Sequence, residues 1–154
     1  MSRSNALTLL LFVVFTVAGG SLIGYFSIPG SWYAALNKPA FNPPNWIFGP
    51  VWTVLYILIG IAGARVWLNH RDSSLPKLWF AQMGLNYLWP LVFFTAQRPD
   101  LALPVLIAML IMILGFIALA WRRDRPSALM FVPYAAWVSF AGLLNGAIWW
   151  LNRA

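Results

Sequence analysis

The chain has 154 residues, a formal charge of +7 and a hydrophobic content of 62%, with only 8% of residues charged. A soluble domain carries roughly 25% charged residues, so this composition cannot build a water-facing surface and excludes a soluble enzyme. Its basic residues sit in short gaps between apolar runs, where they set topology and meet anionic lipid headgroups, so the charge does not signify nucleic-acid binding. No cysteine is present, which removes disulfides, thiol nucleophiles and Cys-ligated metals.

Crossing a hydrocarbon core of roughly 30 Å takes about 20 apolar residues, because every backbone amide in lipid must be bonded within its own segment. Five stretches meet that requirement, approximately residues 6–28, 46–68, 78–96, 101–121 and 128–151. They predict an all-α integral membrane bundle of five transmembrane helices, a single domain over residues 1–154. The first stretch begins like a secretory leader, with Arg3 before an apolar run and Ala18-Gly19-Gly20 after it. The run continues through Leu22-Ile23-Gly24-Tyr25-Phe26, which is longer than a leader core needs and suits a span.

Between the first and second spans lies a loop over residues 29–45, holding Pro29, Pro39, Pro43 and Pro44 with Trp32, Tyr33 and Phe41, and Trp46 just beyond. Such a segment is stiff and rich in aromatic surface, and its composition suits either a belt in the headgroups or a lid over a cavity. The second span carries Arg65, whose long stem can reach the interface. Small residues at a spacing of four, Gly20 and Gly24, Gly60 and Ala64, Gly142 and Gly146, predict close helix seams. Short connections predict that sequential helices are antiparallel neighbours.

Arg3, Arg71, Lys77, Arg122, Arg123 and Arg125 fall on one side of the membrane, against Lys38, Arg98 and Arg153 on the other. The excess predicts a multi-pass protein with its amino terminus inside and its carboxyl terminus outside.

Acids and bases are scarce. Asp72, Asp100 and Asp124 read as solvated charges at loop ends, and His70 is a lone histidine at a loop with no second ligand spaced to help it, so no metal is expected. Tryptophan is abundant, at 10 residues. Interfacial belts account for Trp67, Trp79, Trp121, Trp149 and Trp150. Others share helix faces with polar groups: Trp52 and Tyr56 continue to Ile59 and Gly63; Gln82, Asn86, Trp89, Pro90 and Phe93 form a second stripe; Tyr134, Trp137, Ala141, Leu144 and Asn145 form a third. Polar side chains in lipid turn inward, so the three stripes should converge. They either hydrogen-bond the helices to one another or line an aromatic pocket for a flat hydrophobic ligand.

Specific motifs run through the chain in order. Trp32-Tyr33-Ala34-Ala35-Leu36-Asn37-Lys38-Pro39, Pro43-Pro44-Asn45-Trp46-Ile47-Phe48, Val51-Trp52-Thr53-Val54-Leu55-Tyr56, Asn86-Tyr87-Leu88-Trp89-Pro90 with Phe93-Phe94, and Val132-Pro133-Tyr134-Ala135-Ala136-Trp137 with Leu144-Asn145 resemble the tryptophan-rich sensory protein/translocator protein family. The resemblance implies a five-helix bundle, often a homodimer, that binds protoporphyrin IX and needs no cofactor, porphyrin being its ligand. It implies a pocket formed by Trp52, Tyr56, Asn86, Phe93, Tyr134, Trp137, Ala141 and Leu144, with Trp32, Trp46 and Phe48 in a lid. It also implies a role as sensor or scavenger of porphyrin, with transport of porphyrin or small metabolites and a non-catalytic regulatory partnership as alternatives. Some bacterial members degrade bound porphyrin in light and oxygen through a tryptophan pair, and Trp52 and Trp137 stand at the matching positions. Animal members bind cholesterol through a pattern with a Tyr and a basic residue after the Leu-Asn pair. Here Leu144-Asn145 is followed by Gly146 and later by Trp149-Trp150, which counts against cholesterol.

Overall fold

The computed structural model describes residues 3–153. Among them no strand occurs, as expected for backbone that must satisfy its own hydrogen bonds in lipid. Helix α1 runs Arg3–Phe26, the short α2 Ser31–Ala35, α3 Phe48–Asn69, α4 Leu75–Pro90, α5 Pro99–Arg123 and α6 Arg125–Leu151. A 3-10 turn at Asn45–Ile47 leads into α3, and a π turn at Leu91–Thr95 prolongs α4. Among the described residues four helical segments are long and apolar enough to cross a membrane, at 24, 25, 25 and 27 residues: α1, α3 with its leading turn, α5 and α6.

The outer surface is apolar. Leu7, Leu10, Leu11, Val14, Leu22, Val54, Ile107, Ile111, Leu114 and Leu143 are all exposed, an arrangement that water would penalise and hydrocarbon favours. Inside, Ile59, Leu75, Met83, Leu106, Met109, Ile113, Phe116, Phe131 and Val138 form a close-packed core, with the Phe116 and Phe131 rings stacked at 4.0 Å.

Chain order is not packing order. Helix α3 lies chiefly against α1 and α6, and α5 chiefly against α4 and α6, so the short α3–α4 connection joins helices that meet only sparingly. The expectation that sequential helices are principal neighbours fails there. The reason is the small-residue seam: a Cβ on Gly60 would stand 2.7 Å from the Val13 Cα and from the Thr16 Oγ1, so glycine lets α1 dock on α3. Thr16, fully buried, donates its hydroxyl to the Tyr56 carbonyl at 2.7 Å across this seam. Tyr87 on α4 closes the other flank of α1, donating to the Phe15 carbonyl at 2.7 Å.

Two further expectations are corrected. Trp79 is no interfacial belt residue: it is 1% exposed, and its Nε1 donates to the Ile59 carbonyl at 2.9 Å, bonding α4 to α3. Asp124 is no solvated charge. Asp124 sits buried at the α5–α6 joint, with Arg65 Nη2 donating to its Oδ1 at 2.6 Å and Ser127 to its Oδ2 at 2.7 Å. Burial pushes this carboxyl up, but the Arg65 and Ser127 hydrogen bonds and the Arg65 charge outweigh it and hold it below the ordinary 3.8.

Pro90 ends regular α-helix in α4, because it has no N–H to give the Asn86 carbonyl. The wider π turn follows, closed by Ala96 N–H to the Leu91 carbonyl at 2.8 Å. Gln97, at φ 56°, then turns the chain into α5.

Candidate ligand cavity

A cavity of about 500 Å³ opens inside the end of the bundle that holds Lys38, Arg98 and Arg153, away from the end that collects most of the basic residues. Its walls come from the second half of α1 (Val17, Gly20, Gly24), the first half of α3 (Phe48, Trp52, Tyr56), the end of α4 and its π turn (Asn86, Trp89, Phe93, Phe94) and the second half of α6 (Trp137, Ala141, Leu144, Asn145). The size falls within the usual range for small-molecule sites, and the lining is mainly apolar with a few convergent polar groups.

Each wall follows from local sequence. On α3, Trp52 and Tyr56 are one turn apart and stack, with ring centroids 5.4 Å apart and planes at 29°. Across from them, Gly20 leaves the space that the Tyr56 ring fills, since a Cβ there would collide with it. The π turn presents Phe93 and Phe94, which pack edge to face at 4.7 Å. On α6, Trp137 meets Phe48 edge to face at 5.7 Å.

Polar groups tie the floor together. Tyr56 donates its hydroxyl to Asn86 Oδ1 at 2.8 Å, Asn86 Nδ2 donates to the Tyr134 hydroxyl at 2.6 Å, and Tyr134 donates to Gln82 Oε1 at 2.7 Å. Gln82 Nε2 completes the chain on the Trp79 carbonyl at 2.9 Å. Higher up, Trp89 Nε1 donates to Asn145 Oδ1 at 3.0 Å, while Asn145 Nδ2 donates to the Pro99 carbonyl at 2.8 Å. Two lining groups are left over: the Trp137 Nε1–H and the Ser27 Oγ are both buried without a hydrogen-bond partner. An unpaired buried donor is costly, so both favour a ligand that brings hydrogen-bonding atoms.

The loop over residues 29–45 covers one side, with Pro29, Tyr33 and Asn45 in the lining. It is pinned to the end of α6, where Asn152 accepts from the Asn37 N–H and donates to the Asn37 carbonyl, both at 2.9 Å. Tyr33 is 6% exposed and packs on Phe94 at 5.4 Å, with Lys38 Nζ 4.5 Å from its ring centre. Burial pushes its phenol up, partly opposed by the hydrogen bond with Asn42.

Of the residues singled out from the sequence, Phe48, Trp52, Tyr56, Asn86, Phe93, Trp137, Ala141 and Leu144 come together around this cavity. Three do not line it. Tyr134 is fully buried one layer below, bonded to Asn86. Trp32 stands behind Phe93, at 5.9 Å. Trp46 is 73% exposed and points away, because the turn at Asn45–Ile47 directs Phe48 inward instead. Sequence reasoning missed Tyr33, one residue from Trp32 in the same motif, and the α1 wall, whose small residues Gly20 and Gly24 signalled only a seam. Among the described residues no cluster of three or more His, Cys, Asp or Glu could hold a metal.

Fold and surface together define an integral, multi-pass membrane protein with an aromatic internal cavity. The model of the TspO/MBR family matches residues 12–151, and the chain belongs to that family. It is 40% identical over 152 residues to the tryptophan-rich protein TspO of Archaeoglobus fulgidus, covering 96% of this chain and 99% of that one. It is 40% identical over 153 residues to protein CrtK of Rhodobacter capsulatus, covering 95% of each. With the human translocator protein it shares 35% identity over 127 residues, 77% of this chain and 73% of that one.

Proposed function

We propose that the protein binds a tetrapyrrole, protoporphyrin IX or a close analogue, and acts as a sensor or scavenger of porphyrin in the membrane. The observation that carries this reading is the Trp52–Tyr56 stack facing a mainly apolar cavity in which, among the described residues, the Trp137 indole N–H and the Ser27 hydroxyl are buried without a partner. A flat apolar macrocycle with polar edges matches it: the rings supply stacking surface, and the two unpaired groups supply edge contacts. In this reading α4 and its π turn, continuous from Leu75 to Thr95, form the fifth crossing. The amino terminus lies inside by the distribution of basic residues, which puts the cavity near the outer face.

The test is a titration of purified protein with protoporphyrin IX in the dark, read by tryptophan quenching, followed by illumination. Saturable quenching that weakens in a Trp52→Phe/Trp137→Phe double variant supports the reading, and quenching unchanged in that variant refutes the pocket. Porphyrin loss on illumination that needs both tryptophans adds a photochemical activity, whereas loss independent of them leaves a binding protein.

A second reading, transport of porphyrin, is favoured by the name translocator protein that the human relative carries. Flux of porphyrin into proteoliposomes, above that of empty vesicles, distinguishes it from binding alone.

A further inference from the structure

On the outer surface, α3 and α6 diverge to leave an open apolar groove of about 600 Å³, lined by Pro50, Val51, Val54, Pro133, Ala136 and Phe140. Val54 on its floor is 57% exposed. In a membrane this groove faces acyl chains. One residue belongs both to it and to the internal cavity: Trp137 is part of each lining.

Trp137, half-buried, has fewer polar anchors than its neighbours in the bundle. Its Nε1 has no hydrogen-bond partner, unlike that of Trp79, which bonds the Ile59 carbonyl, or Trp89, which bonds Asn145. Its anchors are ring contacts with Phe48 at 5.7 Å and Phe140 at 5.6 Å. The helix that carries it lacks one internal hydrogen bond close by: Pro133 stands one turn before Trp137 and cannot donate to the Leu129 carbonyl.

We propose that the α3–α6 groove is an outer site for a flat, apolar, lipid-dissolved ligand, from which it passes sideways into the cavity as the Trp137 indole swings aside. This rests on the reading of the cavity as a ligand site. The occupant is that same ligand, because Trp137 lines both groove and cavity and the groove's other lining residues offer no polar side chain to hold a water-soluble one. Lateral entry leaves the pinned 29–45 loop in place.

Because the chain has no cysteine, Val54→Cys creates a unique attachment point in the groove, and Ala40→Cys one at an exposed position of the 29–45 loop, outside the cavity lining. Each variant, unlabelled and coupled to a bulky maleimide, is reconstituted in nanodiscs, and stopped-flow tryptophan quenching follows protoporphyrin IX delivered from lipid. A plug on the route raises a barrier common to entry and exit. The Val54 label is therefore expected to slow association about tenfold while the dissociation constant stays within about twofold, with a much smaller effect from the Ala40 label. Trp137→Ala, which removes the indole, is expected to speed association even as affinity falls, an outcome that a merely structural role would not produce. Unchanged association with the Val54 label, or slowing by the Ala40 label alone, overturns lateral entry while leaving the cavity reading intact. Absence of saturable binding in the unlabelled protein overturns both.

Discussion

Asn86 on α4 donates its Nδ2 to the hydroxyl of Tyr134 on α6 at 2.6 Å, while its Oδ1 accepts from Tyr56 on α3 at 2.8 Å. One amide thus joins three helices beneath the cavity. Because Tyr134 is fully buried below the lining and Asn86 is part of it, the two residues should separate stability from binding. Tyr134→Phe leaves the Gln82 oxygen and one Asn86 N–H unpaired and should destabilise by about 1–3 kcal/mol, with ligand affinity little changed. Asn86→Ala should lower both. Thermal unfolding in detergent and porphyrin titration on the same samples check the split.

Glycines at the α1–α3 seam should not be equivalent. Gly60→Ala drives a Cβ against the Val13 backbone and should cost about 1–3 kcal/mol, whereas Gly24→Ala meets nothing within 4 Å and should be close to neutral. Melting temperatures of the two variants decide it. A loss of equal size at both positions would mean that the seam does not run through Gly60.

Ala141 is 9% exposed and lines the cavity, so Ala141→Leu fills space that a ligand would occupy. Affinity for protoporphyrin IX should fall by about tenfold or more, roughly 1.4 kcal/mol, with little loss of stability. Trp46→Ala provides the contrast: with Trp46 73% exposed and outside the lining, affinity should be unchanged.

The Asp124 carboxyl has its pKa held below the ordinary 3.8 in the folded protein, chiefly by Arg65 and Ser127 acting against burial. A depressed folded pKa stabilises the fold fully above the unfolded value, and that contribution is lost as pH falls through the folded one. Acid unfolding should therefore set in below about pH 4, and Asp124→Asn should lose about 2 kcal/mol at pH 7, a modest figure because Arg65 is partly exposed. Stability against pH for both proteins should show the variant flatter in the acid range.

Much of this molecule is legible from one dimension. The apolar runs locate the long helices because lipid tolerates no unpaired backbone, and that constraint acts within each segment. The stripe Trp52–Tyr56 and the stripe Ala141–Leu144 reach the cavity because helical periodicity fixes which side chains share a face. Polarity turns Tyr134 inward, yet polarity does not say whether an inward group lines a space or fills one.

Other features depend on how the helices meet. That α3 packs on α1 and α6 rather than on α4 follows from Gly60 against Val13 and Thr16, a contact between segments far apart in the chain. The burial of Asp124, the inward Tyr33 beside the outward Trp46, and the unpaired Trp137 N–H are of the same kind. Sequence by itself determined which segments are helical and which faces are apolar, since both are set by local backbone chemistry and a 3.6-residue period. Tertiary structure alone decided where the cavity lies and which aromatic residue lines both it and the lipid-facing groove, because those depend on close approaches between helices that no local pattern encodes.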